Sequence, residues 1–257
     1  MKKKLKIVFL ILFLIGLIIG AGLGETKRLK VKEYNVIDKS LPNSFNGLKI
    51  IHFGDILYGS SASKTTLEKV VKKINALKPD IVIFTGDLYA KDIKLSEGNE
   101  KDLVSLLKKI NAKLYKYAIK GDNDLDNYIN IMQEADFILL DGTKEKLYYK
   151  GTIPIIISNT LCDEDLFSIY LLHQADEVDN LDLTNINLVL SGHNLNGQIR
   201  VPFYGALIKK SGGKKYLDEK YTINNTSLYI TSGIGTYTPN IRLFNPPSIN
   251  LYRLTNY

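Results

Sequence analysis

The sequence has few of the residues that build disulfides or thiolate metal sites. Its 257 residues contain one cysteine, Cys162, and three histidines, His52, His173 and His193. A single cysteine cannot form an internal disulfide, and it cannot supply the several thiolates of a structural zinc site. Because histidines are also scarce, any metal site in this chain must draw mainly on carboxylates.

Strong charge of one sign is also missing from most of the chain. Of the formal net charge of +7, four charges belong to the amino-terminal Lys2, Lys3, Lys4 and Lys6, which leaves +3 for the remainder. The sequence has no basic stripe interleaved with aromatic residues, so no nucleic-acid partner is expected. The apolar fraction of 45% and the charged fraction of 24% are typical of a globular protein with a hydrophobic core.

One long hydrophobic run follows the amino-terminal lysines. Residues 7–24 are all apolar or glycine, and a run of this length lies within the roughly 17–25 residues that span a bilayer. It exceeds the roughly 7–15 residues of a signal-peptide core, although Gly22 and Gly24 could form a small-residue cleavage site. We interpret residues 1–24 as an uncleaved membrane anchor.

The flanking charges do not orient this anchor, because similar numbers of lysine and arginine lie on both sides of it. A basic amino-terminus followed by one hydrophobic segment resembles an export signal. We therefore predict a single-pass protein of the cell membrane with its domain outside the cytoplasm. Residues 25–46 are interpreted as a polar lead-in with an edge strand at 29–35, and residues 47–257 as one domain without internal repeats.

Buried-strand patterns alternate with amphipathic helices over residues 48–135. The run at 81–84 is wholly apolar, which is typical of a strand buried on both faces. Thr65 and Glu68 form a predicted capping box at the start of the first helix. Strands are predicted at 48–53, 81–85 and 117–120, and helices at about 65–77, 100–110 and 127–135.

From residue 137 onwards the pattern changes to short strands broken by turn residues, which indicates a second sheet. The first of these short strands are predicted at 137–140, 146–149 and 155–158. Further strands are predicted at 168–172, 186–190, 228–231 and 248–254.

Five of the predicted strands end in a residue that could bind a ligand. These residues are Asp55, Asp87, Asp122 with Asp124, His173 and His193. Each alone has an ordinary interpretation: Asp87 could lie in a turn or cap a helix, and Asp124 or Asp126 could cap the helix that follows. Because parallel strands place their carboxyl ends at one edge of a sheet, we expect the five tips to converge. Carboxylates with imidazoles suit Mn²⁺, Fe or Zn²⁺, whereas His52, within a strand, is interpreted as a packed core residue.

In order and spacing these residues resemble the calcineurin-like metallophosphoesterases of the membrane-attached bacterial type. That family shows D-x-H, then G-D, then G-N-H-D, a lone histidine after a strand, and G-H-x-H followed by G-Q. The corresponding stretches here begin at Asp55, Gly86, Gly121, His173 and Gly192, and the resemblance extends over about residues 48–254. It implies an α/β (α+β) fold, a four-layer αββα sandwich of two mixed sheets, preceded by one N-terminal transmembrane helix.

The resemblance also marks where this chain departs from the family. One family metal is bound by both residues of D-x-H, the G-D aspartate and the second histidine of G-H-x-H. Here both histidine positions hold leucine, Leu57 and Leu195, so only Asp55 and Asp87 remain. We predict that the two leucines contact each other where that cation would lie.

The other family metal site keeps four potential ligands, Asp87, Asp122, His173 and His193. Asp122 replaces the asparagine of G-N-H-D, which retains an oxygen donor and adds a charge. The resemblance therefore implies one divalent ion (Mn, Fe or Zn) or none, with Asp55 as a further metal ligand or a catalytic base.

Asn123 occupies the position of the family's general acid. A carboxamide cannot protonate a leaving alkoxide, which costs roughly 10²–10⁴ in rate, and loss of one ion removes half of the metal clamp on the phosphoryl group. Counting Asp55, Asp87 and Asp122 against one ion also gives a net negative pocket that should repel phosphate esters. We predict a metallophosphoesterase-like protein at the membrane with weak or absent hydrolysis. The alternative is an active phosphodiesterase or phosphatase that acts on a phosphorylated lipid or another phosphoester near the membrane.

Overall fold

The computed structural model describes residues 2–93 and 95–257, with the backbone alone at residues 2, 3, 14 and 15. Its helices are α1 (Lys2–Glu25), α2 (Lys64–Leu77), α3 (Glu97–Lys108) and α4 (Tyr128–Glu134), with short 3₁₀ helices at Asn43–Phe45, Ala175–Asn180 and Leu195–Gly197. Its strands are β1 (Lys30–Ile37), β2 (Lys49–Phe53), β3 (Ile81–Phe84), β4 (Tyr115–Ala118), β5 (Ile138–Leu139), β6 (Lys144–Leu147), β7 (Ile155–Ser158), β8 (Ser168–Gln174), β9 (Leu188–Gly192), β10 (Arg200–Val201), β11 (Gly205–Ala206), β12 (Lys220–Ile223), β13 (Thr226–Ile230) and β14 (Ser248–Thr255).

Two six-stranded mixed sheets form the domain, as the sequence predicts. The first has the strand order β1-β14-β2-β3-β4-β5, in which the last four strands run parallel to one another. The second has the order β12-β13-β9-β8-β7-β6, in which the middle four strands are parallel. A short hairpin of β10 and β11 lies outside both sheets.

The wholly apolar β3 shows how the layers are packed. Its Val82 and Phe84 belong to a buried cluster with α2, α3 and α4, whereas Ile81 and Ile83 belong to a second cluster that fills the space between the two sheets. Side chains of a strand alternate between its faces, so a strand covered on both faces needs apolar residues at every position. Over the outer face of the second sheet lies the 3₁₀ helix Ala175–Asn180.

Helix α1 exposes its apolar side chains, among them Leu5, Phe9 and Phe13. In the described part of the chain it is the one helix that is long and apolar enough to cross a membrane. Its last turn contacts the domain, because the backbone N–H of Arg242 donates to the carbonyl of Gly22 at 3.3 Å. The end of the apolar helix therefore lies against the loop that follows β13.

Two local predictions were wrong. Helix α2 is capped by Ser63, whose Oγ accepts a hydrogen bond from the N–H of Thr66, so Thr65 lies within the first turn. Serine and threonine both cap helices well, and the serine two positions before Thr65 was not considered. The predicted strand at 137–140 became β5, which pairs with β4 in the first sheet rather than joining the second. Helix α4 returns the chain beside β4 in the crossover that parallel strands require.

Candidate metal centre

The turn after β3 carries Asp87 out of the first sheet. Gly86 and Asp87 both have positive φ, 89° and 56°, and a Cβ on Gly86 would lie 2.5 Å from the backbone nitrogen of Gly121. Only glycine fits this position without strain. The predicted turn at Gly86-Asp87 is therefore also the point at which two loops of the site approach each other closely.

The carboxylate of Asp124 stabilises this turn through hydrogen bonds. Its two oxygens accept hydrogen bonds from the backbone N–H groups of Asp87 (2.9 Å), Leu88 (2.7 Å) and Gly121 (2.8 Å). The interpretation of Asp124 as the cap of the following helix was wrong, because Asn127 precedes α4 and makes no side-chain cap bond. Burial raises the pKa of Asp124 to about 7 even though the N–H donors oppose this shift.

His173 points into the site from a bulge in β8. The register with β9 shifts between Leu172 and Gln174, which turns His173 out of the regular ladder. Its Nδ1 lies 2.7 Å from the carbonyl oxygen of Thr85, and a carbonyl can only accept, so Nδ1 carries a proton. Nε2 is thereby directed to Asp87, 3.5 Å from Oδ1. Metal-binding histidines are commonly oriented by such a carbonyl.

His193 follows β9 and is held in the same manner. Its Nε2 lies 2.5 Å from the carbonyl oxygen of Ser211, and its Nδ1 lies 3.2 Å from Nε2 of His173. The same Nδ1 lies 3.3 Å from Oδ2 of Asp122. Asp122 is 45% exposed and accepts a further hydrogen bond from Gln174, so it stands at the rim.

One ligand atom from each of Asp87, His173 and His193 lies within 4.8 Å of the other two, and all three side chains are buried. A tetrahedral ion with ligands at about 2.1 Å requires roughly 3.4 Å between neighbouring ligand atoms. Separations of 3.2, 3.3 and 3.5 Å among the atoms of this group and Asp122 are close to that value, and Nε2 of His173 lies 4.0 Å from Oδ2 of Asp122. The donor set therefore fits one divalent ion.

The electrostatics of the group follow from burial and from close charges. Burial alone would lower the pKa of His173, but its hydrogen bond to Asp87 and the charges of Asp87 and Asp55 outweigh it and raise the pKa to about 9. Burial and the positive charge of Lys210 lower the pKa of His193 to about 4. Burial opposes ionisation of Asp87, yet its contacts with His173 and Asn123 lower its pKa to about 2.

Asp55 lies beside this group without belonging to it. Both of its carboxylate oxygens accept a hydrogen bond from the backbone N–H of His193, at 3.0 and 3.1 Å. Burial and the neighbouring charge of Asp87 raise its pKa to about 7. Asp55 therefore positions the turn that carries His193, and its predicted part as metal ligand or base stays a prediction.

Leu57 and Leu195 share one buried cluster with Ala90, here called the leucine cluster. The two leucines are 1% and 0% exposed, and Tyr237 packs against the cluster from the side. Both leucines are therefore buried in one apolar cluster, and their direct contact in the place of a cation stays a prediction. None of the side chains in the cluster offers an atom that can bind a cation.

Asn123, in the position of the family's general acid, is turned onto Asp87. Its backbone N–H donates to Oδ1 at 2.8 Å and its side-chain Nδ2 donates to Oδ2 at 2.6 Å. Both bonds use Asn123 as a donor to a carboxylate. Its amide therefore serves to hold Asp87 in place.

Sequence reasoning missed Lys210 and Tyr237. Nζ of Lys210 donates to the hydroxyl of Tyr237 at 2.6 Å and lies 3.9 Å from Oδ2 of Asp87. The Tyr237 hydroxyl lies 3.2 Å from the same Oδ2. Lys210 comes from a loop without a recognisable motif, so no signal in the sequence could have found it. Tyr237 lies in the stretch 229–243, which resembles the family, but no chemistry was assigned to its side chain. The net negative charge predicted for the pocket did not include this ammonium, which lies beside Asp87.

The fold and the site together define a class: two packed mixed sheets with carboxylates and imidazoles gathered at the ends of their parallel strands. Residues 48–196 match the calcineurin-like phosphoesterase family model. The chain is 30% identical over 266 residues to YkuE of Bacillus subtilis, an uncharacterized metallophosphoesterase, covering 91% of this chain and 90% of YkuE. The chain therefore belongs to the calcineurin-like phosphoesterase family, whose members bind divalent metals.

Two further relatives have names that mention a membrane or a substrate. A transmembrane protein with metallophosphoesterase domain from Bos taurus is 26% identical over 62% of this chain and 43% of its own length. The UDP-2,3-diacylglucosamine pyrophosphatase LpxG of Chlamydia muridarum is 31% identical over 37% of this chain and 29% of its own length.

Proposed function

We propose that this protein is a membrane-anchored metallophosphoesterase-like protein that holds one divalent ion and hydrolyses phosphoesters weakly or not at all. The proposed ligands are Asp87, Asp122, His173 and His193. The observation that carries the proposal is the asymmetry of the site. Oδ1 of Asp87 faces the imidazole of His173, whereas Oδ2 lies 3.2 Å from the hydroxyl of Tyr237, which packs against the leucine cluster.

Support for one ion comes from the orientation of the two imidazoles. The carbonyls of Thr85 and Ser211 hold the protons of His173 and His193 on the outer nitrogens. Each ring therefore turns its other nitrogen inward, toward Asp87 and Asp122, and a divalent ion would bind there after displacing the proton that the raised pKa leaves on His173. A bound divalent ion would supply Lewis acidity toward a phosphoryl oxygen and would lower the pKa of a bound water.

Support for weak hydrolysis comes from the residues that surround this half-site. Leu57 and Leu195 cannot bind a second cation, and Asn123 donates to Asp87 instead of carrying an exchangeable proton to a leaving group. Absence of general acid catalysis alone costs roughly 10²–10⁴ in rate. Asp55 keeps a raised pKa and could accept a proton, which leaves room for slow turnover.

Support for membrane anchoring comes from α1, whose apolar side chains are exposed and whose last turn contacts the domain at Arg242. Exposed apolar side chains along a helix of this length are favourable only in a bilayer or against another apolar surface. We propose a single-pass protein of the cell membrane with its domain outside the cytoplasm, acting on or binding phosphoesters or phospholipid-like ligands.

The second candidate function is an active phosphodiesterase that acts on a lipid-linked phosphoester. Two observations favour it: the similarity to LpxG, whose name specifies a lipid-linked nucleotide substrate, and the position of the domain directly at the end of α1. On this hypothesis the single ion, together with Asp55 as base, would suffice for turnover.

Metal content and turnover distinguish the two candidates. The full chain in detergent is dialysed against Mn²⁺ or Zn²⁺, its metal is counted by mass spectrometry, and an aryl phosphodiester is offered with Mn²⁺. We expect one equivalent of metal and little turnover. Asp87→Ala should lose the metal, whereas Asp182→Ala, which removes an exposed carboxylate elsewhere, should keep it. Turnover that disappears in Asp87→Ala would establish the second candidate, and wild-type protein without metal would defeat the one-ion proposal.

A further inference from the structure

We propose that Lys210 is a built-in cation of this site: its ammonium supplies the positive charge that Asp87 and Asp55 would otherwise take from a second divalent ion. The inference rests on the proposed one-ion function. It identifies Lys210 as the residue that limits the site to one divalent ion. In the described part of the chain, no other lysine or arginine nitrogen lies within 4.0 Å of a carboxylate oxygen of Asp55, Asp87 or Asp122.

The two oxygens of Asp87 face two different cation positions. Oδ1 lies 3.5 Å from Nε2 of His173, on the side of the proposed ion. Oδ2 lies 3.9 Å from Nζ of Lys210 and 3.2 Å from the hydroxyl of Tyr237. Asp87 is fully buried, and a buried carboxylate requires opposite charge close to it. Lys210 provides that charge on the side of Oδ2.

The leucine cluster and Tyr237 explain why an ammonium fits there. Tyr237 packs against the leucine cluster and presents its ring and hydroxyl to Lys210, with Nζ 3.8 Å from the ring centroid. An ammonium needs few fixed ligands and is stabilised by an aromatic ring. A divalent ion needs several oxygen or nitrogen donors, and the leucines have none.

The charges of the site balance with Lys210 included. When ionised, Asp55, Asp87 and Asp122 carry three negative charges, which one ammonium and one divalent ion balance, whereas the carboxylate of Asp124 is satisfied by three backbone N–H donors. A second divalent ion would leave two surplus positive charges in a mostly buried pocket, which is unfavourable. The positive charge of Lys210 therefore favours the binding of one divalent ion over the binding of two.

Lys210 is held in place by the loop around it. The carbonyl of the next residue, Ser211, is the one that binds His193. A Cβ on Gly213 would lie 2.3 Å from Cβ of Asn194, so this part of the loop packs directly on the turn after β9. The carbonyl of Lys210 also accepts a hydrogen bond from the N–H of Gly213 at 3.1 Å. The same loop therefore orients a proposed metal ligand and delivers the ammonium.

The first test measures Zn²⁺ affinity and stoichiometry by calorimetry on the full chain, without reference to activity. Lys210→Met should bind one ion about tenfold more tightly than the wild type, or tighter still, because a positive charge next to Asp87 is removed. Lys210→Arg keeps the charge and should bind like the wild type, as should Lys209→Met at an exposed neighbour. Equal affinity in Lys210→Met and Lys210→Arg would overturn the inference.

The second test restores the missing histidines. Leu57→His with Leu195→His should still bind one Zn²⁺ while Lys210 is present, and two when Lys210→Met is added. Two ions in the protein that retains Lys210 would overturn the inference. If the histidine variants fail to fold, the affinity of Lys210→Met decides alone. A wild type that binds no ion defeats the proposed function, and the inference then stands only if Lys210→Met binds one.

Discussion

Nδ1 of His193 lies 3.2 Å from Nε2 of His173, at the ends of the neighbouring strands β9 and β8. The other nitrogen of each ring donates to a backbone carbonyl, that of Ser211 or of Thr85. Two ring nitrogens at this distance need a proton or a metal cation between them, and the raised pKa of His173 supplies the proton when no metal is bound. A divalent ion that displaces this proton and binds both rings should stabilise the folded protein further.

We expect removal of divalent metal with EDTA to lower the melting temperature by roughly 5–10 °C. An ion present at 100 times its dissociation constant stabilises the folded state by about 2.7 kcal/mol, and each kcal/mol shifts the melting temperature of a chain of this size by roughly 2–4 °C. The measurement is thermal unfolding in detergent with Zn²⁺ and with EDTA.

The three histidines provide the matched set for this measurement. His173→Ala and His193→Ala should melt at the same temperature with Zn²⁺ and with EDTA, because each loses a proposed ligand. His52→Gln changes the histidine that lies outside the group and should keep the full shift. A shift that survives in His193→Ala would contradict the proposed ligand set.

Gly121 lies too close to the proposed metal ligands for a larger residue to fit there. A Cβ there would lie 2.3 Å from the nitrogen of Asp87, 2.6 Å from its Oδ1 and 2.8 Å from Cε1 of His173. Gly121→Ala should therefore displace two proposed ligands, weaken Zn²⁺ binding at least tenfold and destabilise the fold by about 1–3 kcal/mol. Calorimetry and thermal unfolding measure the two effects.

Gly98 is the control for this substitution, because it lies in α3 with no atom closer than 3.9 Å to an added Cβ. Gly98→Ala should leave Zn²⁺ binding unchanged and raise stability by about 0.5–1 kcal/mol. If Gly121→Ala binds Zn²⁺ as tightly as Gly98→Ala, the close approach of Gly121 to the ligands is not required for metal binding.

Asp124 and Asp126 permit a test of the loop that carries Asp87. The amide of Asp124→Asn would present N–H donors where the carboxylate now accepts from Asp87, Leu88 and Gly121. Leaving buried N–H groups unpaired costs about 1–3 kcal/mol, so we expect a loss of that size and weaker Zn²⁺ binding. Asp126→Asn, at an exposed position, should change neither. Equal stability of the two variants in chemical unfolding would refute the role of Asp124.

The convergence of strand ends within each sheet was predictable, because parallel neighbours place their carboxyl ends at one edge. Asp87 follows β3 of the first sheet, and His173 and His193 lie at the ends of β8 and β9 of the second, so the meeting of the two groups depends on how the sheets pack. The tautomers of the two histidines were not predictable. The tautomers depend on the backbone carbonyls of Thr85 and Ser211. Because every residue has a backbone carbonyl, the sequence does not show which carbonyl a histidine contacts.

Lys210 shows the limit of sequence reasoning most clearly. It lies in an irregular loop, where neither periodicity nor a turn motif fixes the direction of a side chain. Its position depends on packing between that loop and the turn after β9, through Gly213 and Asn194. The alternative interpretation of Asp124 as a helix cap was also wrong: an aspartate before a helix often caps it, but here the carboxylate accepts from three N–H groups of neighbouring loops.

His52 gives the last prediction, a dependence of stability on pH. It is fully buried, with Nε2 3.0 Å from Oγ1 of Thr85 and Nδ1 3.2 Å from the hydroxyl of Tyr252, as expected for a packed core histidine. Burial lowers its pKa to about 3, compared with about 6.5 in an unfolded chain. Between these values the unfolded chain binds a proton that the folded chain excludes. Its contribution to stability is complete above pH 6.5 and is lost as the pH falls.

The fall from pH 7 to pH 5 should cost about 2 kcal/mol through His52 alone. Other groups also titrate in this range, so the informative quantity is the difference between the wild type and His52→Gln in guanidinium-induced unfolding at both pH values. The variant should be less stable at pH 7, because its amide replaces two ring hydrogen bonds imperfectly, and should lose about 2 kcal/mol less on acidification. If both proteins lose the same free energy between pH 7 and pH 5, His52 is already protonated or accessible in the folded state.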